Sequence, residues 1–343
     1  MKNKIPYPTT SNTMLAAVVT FLLLATIITM GMLTPLIAKL TTGVELSLEP
    51  EYFNNRTAIP VAILILILST GMLVGYADRK YIYPIVGSSA ALSIVFAVFS
   101  PFGNMPMDIS LPILIVALLA TFYRIFKIYS NNKNATASAK VKKLSAHVIH
   151  VGIILILLGI ILSSNMKMES SAVLGTGQTG SFEGQHYQLK INSMDSYYSG
   201  EAFRNNPASS YTTEIAFDIY KNGNYFKTGH VNYITDFKWG QTYTTTYINR
   251  GLTEELFIAP RAIDESESEI DLYMRTVPFI NFLWGGIYLM VIGIIALLVT
   301  DRKTDTKPGP SGISNKTNEG RYDHMLEQEI EKRKAKRAKG KRR

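Results

Sequence analysis

Six separate runs of about 18 to 25 apolar residues interrupt this chain, and no other feature limits its fold so severely. They lie at roughly 14–38, 59–76, 83–100, 111–128, 145–163 and 278–300. In hydrocarbon a run of that length has to satisfy its own backbone N–H and C=O groups, so each is predicted to be a transmembrane helix. The third is the weakest, because Gly87, Ser88 and Ser89 dilute it. The first is too long, and starts too far behind the polar N-terminus, to read as a cleaved signal peptide, so it is expected to stay in the mature protein.

Charge sets the expected orientation. Six spans put the N-terminus, the "ADRK" turn at 77–80, the loop at 124–143 and the C-terminal tail on one side, and about 24 of the 35 Lys and Arg residues collect there, 14 of them in the tail. Positive residues lodge on the cytoplasmic side. Both termini are therefore expected in the cytoplasm and residues 164–277 outside it, in a multi-pass plasma-membrane protein.

Within 164–277 the composition changes from Ile and Leu to Tyr, Thr, Asn and Gly, which suits strands and turns. The clearest signal is "EIAFDIYKNGNYFKTGHVNYI". Ile215, Phe217 and Ile219 alternate with polar residues, and Asn222-Gly223 supplies the positive φ values of a tight hairpin turn. The flanking stretches "QHYQLKINSM" and "QTYTTTYIN" also read as strands. The predicted fold class is an α-helical polytopic membrane protein of six transmembrane helices with an inserted extracytoplasmic antiparallel β domain. Residues 1–163 form the membrane domain with helices one to five, 164–277 the β domain, 278–300 the sixth helix and 301–343 a basic cytoplasmic tail.

Absences narrow the chemistry. With no cysteine the chain carries no CxxC redox pair, thiolate metal site or CxxCH haem attachment of its own. No phosphate-binding glycine loop, nucleophile elbow or HExxH helix is present, so no catalytic residue is assigned. The basic tail reads as a linker and a positive helix attracted to anionic headgroups rather than to nucleic acid.

The fifth run, "SAHVIHVGIILILLG", carries two histidines at its basic mouth. His147 sits nearest the interface and reads as an interfacial group. His150 lies about one turn deeper, and ionisable residues inside a span face a partner, a cavity or a cofactor. At ~100° per residue, Ile154, Leu157 and Ile161 share the face of His150, while Ser145, Gly152 and Gly159 cluster opposite. Small residues seven apart let a neighbouring backbone come close. The other face is expected to present an imidazole above a flat apolar wall that would suit a porphyrin; on the residues alone, proton relay, metal and haem ligation all stay open.

Several blocks in order resemble the C-terminal part of the CcmF family of cytochrome c haem lyases. "GMLTPL" is followed by "VELSLEPEYFN", then "FYRIFK" and "HVGIILILLGI". "LGTGQTGSFEGQHYQL" is similar to the start of that family's outer domain and "IAPRAIDESESEIDLYM" to its end. "FLWGGIYLMVIGIIALLVTDRK" resembles the last span. The family's tryptophan-rich external motif is missing, since only Trp239 and Trp284 are present and "WGGIYL" lacks the later Trp and Asp.

The resemblance implies a split haem lyase subunit. By it, His150 is the axial ligand of a haem b within the membrane and thus the ligand of its iron, with His147 as second choice or a supporting neighbour. It further implies an N-terminal haem lyase subunit bearing the tryptophan-rich motif, a haem chaperone, thiol-handling maturation proteins and apocytochrome c as partners, with thioether formation on a partner chain. Alternatives are a scaffold of the same complex that binds no haem and, less favoured, a transporter subunit. His186 and His230 are expected to be ordinary strand or surface histidines. Arg261 follows Pro260 directly, which departs from the family's arginine element, and it receives no role.

Overall fold

The computed structural model describes residues 8–131, 136–264, 266 and 268–305; the tail beyond 305, including His324, lies outside the described residues. Among the described residues, six helices are long and apolar enough to cross a membrane: α1 (Thr10–Thr42), α2 (Pro50–Leu73), α3 (Arg79–Phe99), α4 (Met105–Asn131), α5 (Ala137–Asn165) and α6 (Ile280–Asp305). The protein is thus a multi-pass membrane protein with an inserted antiparallel β domain. Starts and stops follow side-chain chemistry. Thr9 and Thr136 accept hydrogen bonds from the backbone N–H groups of Asn12 and Ala139, and Gly43, at φ 71°, closes α1.

α4 is the central helix, packed against α2, α3 and α5, whereas α1 leans on α2 and α6 on α5. The core between them holds Ile65 of α2, Ile113, Leu114 and Ala117 of α4, and Ile154 and Leu158 of α5. Asp108, fully buried in the first turn of α4, accepts hydrogen bonds from the Ser100 hydroxyl (2.7 Å) and the Phe102 N–H (3.1 Å). It pins the turn between α3 and α4.

α5 and α6 are antiparallel and meet through small residues. A methyl group added at Gly152 would stand 2.7 Å from the Gly286 carbonyl oxygen, and one at Gly293 would stand 3.0 Å from the Ser145 carbonyl oxygen. Ser145, Gly152 and Gly159 therefore form one seven-residue stripe, answered by Gly286 and Gly293 across the interface, as the sequence spacing predicts.

The β domain continues directly from this pair. β1 (Met168–Gly175) follows α5 after two residues, and β9 (Glu269–Pro278) leads into α6. The two strands pair antiparallel from Met168↔Thr276 to Gly175↔Glu269, so the helix pair and the strand ladder form one stalk. β8 (Glu254–Ile263) and β7 (Tyr247–Arg250) complete the sheet β1-β9-β8-β7. The second sheet has the order β2-β3-β4-β5-β6, from Thr179–Ser181, Tyr187–Ser199, Ser210–Lys221, Asn224–Asp236 and Gln241–Thr244.

Side chains from both sheets make one core. Leu189, Ile215, Phe217, Ile219 and Val231 meet Leu256, Ile258, Ile270, Leu272 and Met274. The alternation of 215, 217 and 219 is what points them inward. The β4–β5 hairpin turns at Asn222 (φ 51°) and Gly223 (φ 79°), as their sequence signature requires. The stretch 241–249 is not a single strand: it divides into β6 on one sheet and β7 on the other, because the chain changes sheets there.

Candidate functional site

His147 and His150 lie on α5 near the basic end of the helices, with ring centroids 6.3 Å apart. Their environments differ. His147 is the more deeply buried, at 8% exposure, and its Nδ1 atom has no hydrogen-bond partner. His150 is partly buried. Seven residues separate His147 from Ile154, so the two share a face at ~100° per residue, and that face turns into the bundle. His150 is rotated by about 60° from it.

Ile154 is fully buried against α2 and α4, and Leu157 and Ile161 pack on the same cluster. Ile154 is thus covered by α2 and α4, whereas Leu157 and Ile161, on the face of His150, stay partly exposed. What His150 offers is a fixed ring. Its Nδ1 atom is 2.6 Å from the Ala146 carbonyl oxygen, which defines Nδ1 as the protonated donor and leaves the Nε2 lone pair for a ligand or proton. A second hydrogen bond of this kind is what orients metal-ligating imidazoles.

Arg124 falls at the start of the basic loop 124–143 expected from the sequence, where it carries no assigned role. α4 instead runs on to Asn131, so Arg124 remains helical and turns inward. Its guanidinium donates to the Gly71 carbonyl (2.5 Å) and lies 4.7 Å from the Tyr76 ring centre, which closes the C-terminal end of α2. Its Nε atom is buried without a partner, and the charge is within electrostatic reach of both imidazoles. An arginine falling on the apolar period of a span was the available signal.

The histidines of the β domain have separate surroundings. The His186 Nε2 (3.0 Å), Tyr187 hydroxyl (2.9 Å) and Lys221 ammonium (2.7 Å) all hydrogen-bond to one carboxylate oxygen of Glu254. Burial alone would raise the Glu254 carboxyl, but donation from Lys221, His186 and Tyr187 outweighs it and holds the group below its ordinary range. The hydrogen bond to Glu254 likewise raises Lys221. This is a structural knot between the two sheets. His230 is exposed on β5 opposite Ala216. Arg261 is exposed at the β8 bulge, with its guanidinium 4.3 Å from the Tyr273 ring centre. Among the described residues, no three His, Asp or Glu side chains gather as metal donors.

No protein-family model matches the chain. The cytochrome c-type biogenesis protein CcmF of Pseudomonas aeruginosa is 24% identical over 299 residues, and that of Pseudomonas fluorescens is 23% identical over 296. This chain resembles part of CcmF. Each match takes in 82% of the chain and 42% of the relative, so the chain spans less than half the length of the CcmF proteins it matches. A solved structure titled cytochrome c haem lyase CcmF superposes with a TM-score of 0.62 at 14% identity, over 84% of this chain and 46% of that one. The shared fold with CcmF is six apolar helices carrying a β domain. Trp284, within the Trp-Gly-Gly of α6, belongs to the span itself, where Gly286 packs on α5.

Proposed function

We propose that the chain is a subunit of a membrane cytochrome c haem lyase in which His150 is one axial ligand of a haem b held within the membrane. The observation that carries this reading is the Nδ1 contact of His150 with the Ala146 carbonyl, which leaves Nε2 available on a partly exposed helix face. Similarity to the CcmF proteins supports the pathway. When bound, such a haem supplies electrons that keep an incoming haem reduced during thioether formation.

The chain's own residues would position and insulate. Ala146 fixes the ring and tautomer of His150, Arg124 places a fixed positive charge beside it, and the close α5–α6 contact holds the helix that carries it. His147 would act as a supporting neighbour. The second axial ligand and the tryptophan-rich element would come from a partner subunit, with residues 164–277 outside the cytoplasm to receive that partner, a haem chaperone, thiol-handling proteins and apocytochrome c. Both termini would be cytoplasmic.

One observation favours a second reading, a scaffold of the same complex that binds no haem: α4 already covers the Ile154 wall. The two readings separate in a reduced-minus-oxidised spectrum of the complex purified with wild-type chain, His150→Ala or His147→Ala. The haem b band should disappear with His150→Ala and persist with His147→Ala. A band indifferent to His150→Ala would leave the scaffold reading, and loss only with His147→Ala would move the ligand by one turn.

A further inference from the structure

A cavity of about 610 Å³ opens between α3 and α4 at the basic end of the bundle, away from the β domain. Its two walls repeat one chemical gradient. On α4, Val116, Leu119, Tyr123 and Lys127 follow a single stripe at helical spacing, running from apolar to cationic over about 16 Å. On the other wall Asp78, the N-cap of α3, is followed by Tyr81 and Ile85, which runs from charged to apolar in the opposite chain direction. Because the helices are antiparallel, both charged ends meet at one mouth and both apolar ends lie deeper. Leu119 and Ile85 are exposed toward the space a bilayer fills.

We infer that this crevice binds a glycerophospholipid with a zwitterionic, amine-bearing headgroup. An acyl chain would lie along Ile85, Val116 and Leu119, and the tyrosines stand where amphipathic rings occupy the membrane interface. The choice of headgroup rests on charge. The cavity lining itself carries one carboxylate, Asp78, and one ammonium, Lys127, and two further cations, Lys80 over the Tyr81 ring and Arg124 over the Tyr76 ring, stand at its edge; the cations suit a phosphate and Asp78 is the group that suits a primary amine. A purely anionic headgroup would meet Asp78 as a like charge. Basic pockets between transmembrane helices are established headgroup sites, and the acidic partner is what sets this one apart.

The test uses the full chain purified in detergent and exposed to equimolar phosphatidylethanolamine and phosphatidylglycerol, with bound lipid read by native mass spectrometry. Wild type should retain phosphatidylethanolamine in preference. Asp78→Asn should remove the preference, Lys127→Gln should lower retention of both lipids by about fivefold, and Leu119→Trp should block the crevice. Asp78→Glu and Lys127→Arg should retain the wild-type behaviour, and unchanged melting temperatures would show that the losses are local. No retained lipid, a preference for phosphatidylglycerol, or a preference indifferent to Asp78→Asn and Lys127→Gln would overturn the inference.

Discussion

Gly152 of α5 and Gly286 of α6 meet backbone to backbone: a methyl group on Gly286 would come within 2.6 Å of the Gly152 carbonyl oxygen. No side chain on either residue fits without moving a helix. Gly152→Leu should therefore destabilise the protein by about 1–3 kcal/mol or more, as overpacking of a tight contact does. Gly285, one residue from Gly286, has nothing within 4 Å of its added methyl position. Gly285→Leu is the control, and thermal unfolding in detergent should show a clear loss for Gly152→Leu and little change for the control.

The Glu254 knot gives the β domain a pH dependence. A lowered carboxyl adds stability that is fully present above its ordinary value of 4.5 and is lost as pH falls through the lowered folded value. Lys221 has the opposite sign: its contribution is present below its ordinary 10.5 and is lost as pH rises through the raised folded value. Glu254→Gln should cost about 1–2 kcal/mol at neutral pH, since three donors lose their charged acceptor. It should also flatten the acid limb of a melting-temperature profile; an unaltered limb would assign that pH dependence to other carboxylates.

Asp108 holds the turn between α3 and α4 through the Ser100 hydroxyl and the Phe102 N–H. Asp108→Ala strands both donors and should cost about 1–3 kcal/mol, whereas Asp108→Asn, which keeps an acceptor, should cost less. Denaturation midpoints of the two variants measure the difference.

The loop between β7 and β8 reaches the level at which α6 begins. The Asn281 amide donates to the carbonyls of Gly251 (2.6 Å) and Leu252 (2.7 Å), tying that loop to the first turn of α6. Leu252 is 94% exposed beside the exposed rings of Phe279 and Phe282, which are stacked at 5.8 Å. Such an apolar tip at a span boundary should enter the lipid. Leu252→Trp, in a Trp284→Phe background, should be quenched by brominated acyl chains. Trp239, at the far end of the domain beyond Asp236, should not be.

Much of this architecture was legible because its signals are local. Apolar length defined six spans, alternation aimed Ile215, Phe217 and Ile219 inward, and Asn222-Gly223 fixed a hairpin whose φ values only such residues adopt readily. The stripe Ser145, Gly152, Gly159 announced a close helix contact, since side-chain size at a seven-residue period is written in the chain itself.

Which helix would fill that contact was decided by the tertiary structure, through the complementary Gly286 and Gly293 of α6, more than a hundred residues away. The same holds for the histidines. Helical spacing placed His147 and His150 on neighbouring faces, but only the position of α4 made His147 the buried ring, covered the Ile154 wall and brought Arg124 toward both. Sequence periodicity determines the direction in which a side chain leaves its own helix. What it meets there depends on a second helix whose position is set by the packing of the whole bundle.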